Sequence, residues 1–318
     1  MQTPLPVVGL DVSKATLAVC HQPGTQVQHL DVANTPAGFR ELVRHCGAAS
    51  LYVLEATGTY YLAGAYHLVA AGAPVAVVQP LVVRRFIQRH LGKGKSDRKD
   101  APWLLRFGQQ QAPARWQPEE QTLVECRQLQ QAAELLIRQQ TMVCTALEAL
   151  LHQPVVCAEA RRQLGLTWRR LARQVQQLEA ALLTRLEQRY AAELPLLLAM
   201  PGSGRKTAAL LLLFAGGFAR FDTPRHLIAQ AGLCPHAYPS GTSVRGQTRI
   251  SKLYLCRWSA GRVNTACKAR YERLVAKGNH KKRALIAGCN KLLKQAFALV
   301  KSAGAYQPDF AQNIMSMT

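Results

Sequence analysis

The chain has 318 residues, 48% of them hydrophobic, and a mean hydropathy of -0.06, a balance that fits a soluble fold with more than one core. Forty Lys and Arg against 18 acids leave a net charge of +22, which points to a polyanionic partner, nucleic acid ahead of an anionic membrane surface. No apolar run approaches the roughly 20 residues of a spanning helix, no basic-then-apolar leader opens the chain, and nine scattered cysteines without a C-x-x-C pair argue against a disulfide framework or a zinc site and for reduced thiols in the cytoplasm.

Val7-Val8-Gly9-Leu10-Asp11-Val12 reads as a short buried strand that ends on an acid. A turn leads to a second strand over Thr16 to Cys20 and a third around Val27 to Val32, an antiparallel meander. Thr35-Pro36 is a cap and first-turn signal for a helix that runs to Cys46. Leu51 to Glu55 is another apolar strand ending on an acid. Tyr60 to Ala71 reads as a helix, Pro74 to Val78 as a strand and Leu81 to His90 as an Arg-rich helix. The order βββ-α-β-α-β-α is that of a ribonuclease-H-like α/β fold. In such a fold the first and fourth strands are neighbours, which sets Asp11 beside Glu55 at their carboxyl ends.

Lys93 to Asp100 is a charged octapeptide with Asp97 and Asp100 three residues apart, opening a helix that continues to Phe107. Positions i and i+3 share a helix face, so both acids can join Asp11 and Glu55, leaving Lys95, Arg98 and Lys99 to face phosphates. Taken alone, the octapeptide reads as a capped helix start with a solvated charge run. Four converging carboxylates repel one another unless a cation neutralises them, and oxygen donors select magnesium or manganese.

Residues 113–192 change character. Glu119 to Leu151 carries an apolar stripe (Leu123, Leu129, Leu136, Val143, Leu147, Leu150), a break at His152-Gln153-Pro154 precedes further helix, and Trp168 to Tyr190 repeats the pattern. The spacing predicts a helical hairpin or coiled coil for assembly, or equally an intradomain helical pair. No chemistry is legible there.

The last third is the most basic, with Asp222 and Glu272 the only acids between residues 201 and 301. Pro201-Gly202-Ser203-Gly204-Arg205-Lys206-Thr207 before an apolar helix resembles a helix-hairpin-helix, in which Gly202, Gly204, Arg205 and Lys206 meet a DNA phosphate. The stretch lacks P-loop spacing and follows a helix, which excludes an ATPase. Tyr238 to Lys252 is a hydroxyl-rich loop with Arg245, Arg249 and Lys252 placed for phosphate oxygens. By itself it is an anion-binding loop, because Ser240 has no evident base beside it. Beyond Ala276 the lysines and Arg283 read as basic helices lying on nucleic acid.

Together these segments resemble the DEDD transposases of insertion-sequence family 110, including its 1111 group, and the related Piv-type DNA invertases. The resemblance spans nearly the whole chain. It rests on Gly9-Leu10-Asp11-Val12-Ser13-Lys14, Glu55-Ala56-Thr57-Gly58-Thr59-Tyr60, Ser96-Asp97-Arg98-Lys99-Asp100-Ala101, Pro201-Gly202-Ser203-Gly204 and Ser240-Gly241-Thr242-Ser243-Val244-Arg245-Gly246. It implies a RuvC-like domain over 1–112, a helical assembly region over 113–192 and a mainly α transposase domain over 193–318. It implies that Asp11, Glu55, Asp97 and Asp100 hold the divalent metal and that Ser240, with Ser243 as the fallback, is the nucleophile of a phosphoserine intermediate. It further implies a guide RNA from the element's non-coding end that pairs with donor and target DNA. The assembly it implies is a homotetramer or dimer of dimers, bacterial and nucleoid-associated, in which one subunit's tetrad works with another's serine. Where relatives tend to carry Ser-Lys-x-Gly, this chain has Ser251-Lys252-Leu253-Tyr254. Competing readings are a DNA invertase, a RuvC-like nuclease or resolvase that hydrolyses with water, and a non-catalytic nucleic-acid-binding protein.

Overall fold

A computed structural model of the chain describes residues 5–90, 97–231, 239–240, 244–245 and 264–304, with the backbone alone at 97–99, 239–240 and 244–245. It divides into two compact units, Met1–Glu119 and Glu120–Thr318, each with its own core.

The first unit is built on β1 (Val7–Val12), β2 (Thr16–His21), β3 (Gln28–Ala33), β4 (Leu51–Glu55) and β5 (Val75–Val78). Its helices are α1 (Pro36–Cys46), α2 (Tyr61–Ala70), α3 (Pro80–Arg89) and α4 (Asp97–Gln111). The elements fall where the hydrophobic pattern places them, except that α4 runs four residues past Phe107, through Gly108 and three glutamines whose polarity hides the helix. Thr35 caps α1, its hydroxyl accepting the Gly38 N–H at 3.3 Å, with Pro36 at the first helical position.

The strand order is β3-β2-β1-β4-β5. The β1–β2 and β2–β3 pairs are antiparallel, whereas β1–β4 and β4–β5 are parallel, with α1 leading from β3 into β4 and α2 joining β4 to β5. Leu51 to Leu54 are all buried because helices cover both faces of the sheet. Val8, Leu10, Tyr52 and Leu54 pack with Phe39, Leu42, Ala65 and Leu68 of α1 and α2. On the opposite face Leu51, Val53, Ala76 and Val78 pack with Val83, Phe86, Leu104 and Phe107 of α3 and α4.

Two glycines let α4 lie directly on the sheet. A Cβ on Gly9 would collide with the Ala101 carbonyl oxygen and the Leu105 nitrogen, and would stand 3.1 Å from the Leu104 carbonyl carbon. A Cβ on Gly108 would stand 2.5 Å from Val7 Cγ1 and 2.7 Å from Val53 Cγ2. The obstacles at Gly9 are backbone and cannot rotate away. Gly9→Ala is therefore expected to destabilise the protein by about 1–3 kcal/mol, the range for overpacking a filled core. Chemical denaturation of the full chain measures it, and an unchanged midpoint would contradict the close approach.

The second unit is helical. Its elements are α5 (Gln121–Leu151), α6 (Ala158–Arg189), α7 (Glu193–Ala199), α8 (Arg205–Ala215), α9 (Pro224–Gln230), the strand pair β6 (Pro239–Ser240) and β7 (Val244–Arg245), α10 (Thr265–Ala276) and α11 (Lys281–Ser302). α5 and α6 form an antiparallel hairpin, its base tied by Arg189 to Glu120 at 2.8 Å and Arg185 to Glu125 at 3.1 Å. α6 begins ten residues before Trp168, in an Arg- and Gln-rich stretch whose apolar signal is faint. Near its base the hairpin contributes Cys126, Leu182 and Leu186 to the core that α7, α8, α9 and α11 build around Leu197, Leu212, Phe218, Leu227 and Leu292. Away from the base its apolar residues are uncovered, among them Met142, Leu151 and Leu166. The seven described cysteines are free, and burial pushes the thiols of Cys20, Cys46 and Cys267 up to about 11, which keeps them protonated and unreactive at neutral pH. No helix among the described residues is long and apolar enough to cross a membrane.

Candidate active site

The register of the central parallel pair places the first two acids. Leu10 pairs with Leu54, so the next step along both strands sets Asp11 beside Glu55. Both stand on the face that carries Val7, Gly9, Leu51 and Val53, the face under α4, because side chains alternate along a strand. Both are half-buried. The Glu55 carboxylate accepts the Thr57 hydroxyl at 2.9 Å, and the Thr57 N–H turns back to the Glu55 carbonyl at 2.8 Å.

α4 brings the other two acids toward the same end. Its Gly108 lies over Val7 and Val53 while Ala101 and Leu105 lie over Gly9, so the helix runs against β1 with its first turn toward the carboxyl ends of β1 and β4. Four residues of helix from Ala101 back to Asp97 span about 6 Å, and two residues of strand from Gly9 to Asp11 span about 6.6 Å. The first turn of α4, which holds Asp97 and the half-buried Asp100, therefore reaches the level of Asp11. Pro102 sits just behind that turn. Having no N–H, it leaves the Arg98 carbonyl without its helical partner and loosens the turn from the rest of α4.

The donors at this end are carboxylate oxygens, the hard ligands magnesium or manganese takes. Asp11, Glu55 and Asp100 carry donors of the right chemistry for a divalent cation, and Asp97 stands on the same helical turn as Asp100. Among the described residues, which exclude the side chain of Asp97, no three His, Cys, Asp or Glu side chains are close enough together to hold an ion.

In the second unit a Gly-rich turn joins α7 to α8. Gly202 takes φ +83°, in the left-handed region that favours glycine. Gly204 is the N-cap of α8 and provides no capping side chain, and Arg205 and Lys206 are exposed on the first turn. Lys206 meets Glu179 of α6 at 2.7 Å. Such an exposed pair contributes at most about 1 kcal/mol, so a phosphate can replace the carboxylate. The buried Asn264 steadies the turn. Its Nδ2 donates to the Pro201 carbonyl at 3.1 Å and to Gln295 Oε1 at 3.0 Å, while its Oδ1 accepts the Cys267 N–H at 3.0 Å and caps α10.

Ser240 lies on β6 opposite Val244, and Arg245 lies opposite Pro239. Lys95, Ser243, Arg249, Lys252 and the Ser251-Lys252-Leu253-Tyr254 departure lie outside the described residues, as do the side chains of Arg98 and Lys99. Sequence reasoning missed two features. One is Asn34, which touches the loops after both acid-bearing strands. The other is α6, where Arg162, Arg169 and Arg173 are exposed opposite the buried Leu171, Val175 and Leu182. The i, i+7, i+11 spacing of those arginines was available in the sequence but masked by the search for apolar periodicity.

Acids set toward one end of a mixed sheet, in a chain otherwise so basic, point to phosphodiester chemistry on nucleic acid. Comparison with known families narrows the class. The DEDD model for IS110, described as a transposase, matches residues 8–155, and the model described as transposase of the IS116/IS110/IS902 family matches residues 194–272. The chain belongs to the IS110 family of transposases, related to the Piv-type invertases. It is 28% identical over 312 residues to the pilin gene-inverting protein of Moraxella bovis, covering 92% of this chain and 95% of the relative, and equally to that of Moraxella lacunata. It is 32% identical over 121 residues to an insertion element IS110 protein of 43.6 kDa from Streptomyces coelicolor, covering 36% of this chain and 30% of that one.

Proposed function

We propose that this transposase cuts and rejoins DNA through a phosphoserine on Ser240, formed beside a magnesium or manganese ion held by Asp11, Glu55, Asp97 and Asp100. The observation that carries the reading is the β1–β4 register, which puts Asp11 next to Glu55 on the face and at the end where α4 begins. The strand order β3-β2-β1-β4-β5 supports a ribonuclease-H-like, RuvC-like fold for residues 1–112, with 113–192 as the assembly region and 193–318 as the transposase domain.

The carboxylates position the cation, which when bound neutralises charge on the scissile phosphate. Arg205, Lys206 and the N-terminus of α8 hold DNA phosphates, and Arg245, Arg249 and Lys252 hold the phosphate nearest Ser240. Ser240 Oγ bonds to phosphorus as the bond to the leaving sugar oxygen breaks. The serine proton is released, and the leaving oxygen takes one up. A hydroxyl from the exchanging strand reverses the step, so the phosphodiester energy is kept and no nucleotide cofactor is needed. Lys95, Arg98 and Lys99 line the rim of the acidic end. Guidance by an RNA from the element's non-coding end, and a tetramer that shares sites between subunits, complete the reading.

The match to two pilin gene-inverting proteins over 92% of this chain favours site-specific inversion as a second use of the same chemistry. The test is recombination between plasmid-borne donor and target sites by the purified protein. Joined junctions are expected only with Mg2+ or Mn2+ and a transcript of the non-coding end, and EDTA should abolish them. Junctions formed without the transcript would contradict RNA guidance. Hydrolysed ends without junctions would contradict strand exchange.

A further inference from the structure

Asn34 follows the last residue of β3 and is not one of the carboxylates. Its side-chain Nδ2 donates to two main-chain carbonyls, Ser13 at 2.8 Å and Tyr60 at 3.3 Å. Its own N–H donates to the Ala15 carbonyl at 2.8 Å. Ser13 is two residues past Asp11, and Tyr60 is five past Glu55. One amide group thus joins the loops that leave the two acid-bearing strands.

Each loop is also closed on itself. Ser13 and Thr16 exchange hydrogen bonds of 2.9 to 3.0 Å through hydroxyls and backbone. Thr57 folds back on both the carbonyl and the carboxylate of Glu55. A shift at either carbonyl held by Asn34 is therefore passed to a short, stiff segment that ends on an acid. The two acceptors also settle which end of the amide faces them, since an oxygen there would oppose two carbonyl oxygens. Asn34 Oδ1 is buried without a partner among the described residues.

We infer that Asn34 is a positioning residue for the carboxylate site, holding the ends of β1 and β4 at the separation at which Asp11 and Glu55 share one divalent cation. The inference rests on the carboxylate reading proposed above. Partners behind metal ligands commonly account for about 10–100-fold in metal affinity, because they fix where the ligands point.

The test is Mn2+ binding to the full-length protein, followed by the paramagnetic resonance signal of the free ion, with circular dichroism confirming the fold. Asp11→Asn is expected to lose saturable binding. Asn34→Ala is expected to weaken binding by about 10–100-fold at unchanged stoichiometry. Asn34→Asp, the same shape with an oxygen set against the two carbonyls, should weaken it at least as much. If the folded Asn34 variants show only a lower Tm and bind Mn2+ like the wild type, while Asp11→Asn has lost binding, the inference is overturned and the carboxylate reading stands. If Asp11→Asn binds Mn2+ as the wild type does, the carboxylate reading falls and takes the inference with it.

Discussion

Asp11→Asn is expected to lower DNA strand cleavage by at least about a thousandfold while the protein stays folded. A bound divalent ion contributes several kcal/mol of transition-state charge stabilisation, and each 1.36 kcal/mol is a factor of ten in rate. The amide keeps the shape of the carboxylate but removes its charge and one oxygen donor. Asp11 is half-buried at the end of β1, with Ala18 as its neighbour across the antiparallel pair, so no core side chain has to move. Asn is nearly isosteric with Asp at this half-buried position, so the fold should be retained, which Tm reports. Single-turnover cleavage at saturating Mg2+, with Tm measured on the same preparation, separates the two effects. Cleavage within tenfold of wild type would exclude Asp11 from the metal site.

Ser240→Ala is expected to abolish strand exchange, again by at least about a thousandfold, as loss of a nucleophile does in enzymes with covalent intermediates. DNA affinity should change little, because the phosphate contacts proposed for Arg205, Lys206, Arg245, Arg249 and Lys252 do not involve the Ser240 hydroxyl. Ser243→Ala is the control, since it removes one hydroxyl from the same loop and should retain exchange. Equal loss in the two variants would show that the loop binds the phosphate without attacking it.

How much could be read from sequence follows from which physical signals are local. The β1 and β4 strands were legible as short apolar runs ending on acids, and their parallel pairing followed from the order of elements. The approach of α4 was not legible. It depends on Gly9 and Gly108 together, a pairing across 99 residues that no window along the chain reports. The end of α4 was set too early because Gln109 to Gln111 carry no apolar signal, whereas helix resuming after the His152-Gln153-Pro154 break was legible. Asn34 escaped because a lone asparagine after a strand reads as a turn residue. Its role appears only once Ser13 and Tyr60 are seen to converge on it. Ser240 is the reverse case: its own surroundings in sequence offer no base and make it an ordinary anion-loop serine, and only the combination of motifs along the whole chain marks it out.

The central claim is that one chain joins a carboxylate-held metal to a serine nucleophile. Its most direct test is to quench the wild-type protein with Mg2+ and a DNA site bearing a nick that prevents rejoining, then digest it and map the modified peptide by mass spectrometry. The account predicts a nucleotide linked through phosphate to Ser240, present in wild type, absent without Mg2+ and absent in Asp11→Asn. DNA cleaved under the same conditions with no covalent peptide, or with the nucleotide on a residue other than Ser240, would contradict it.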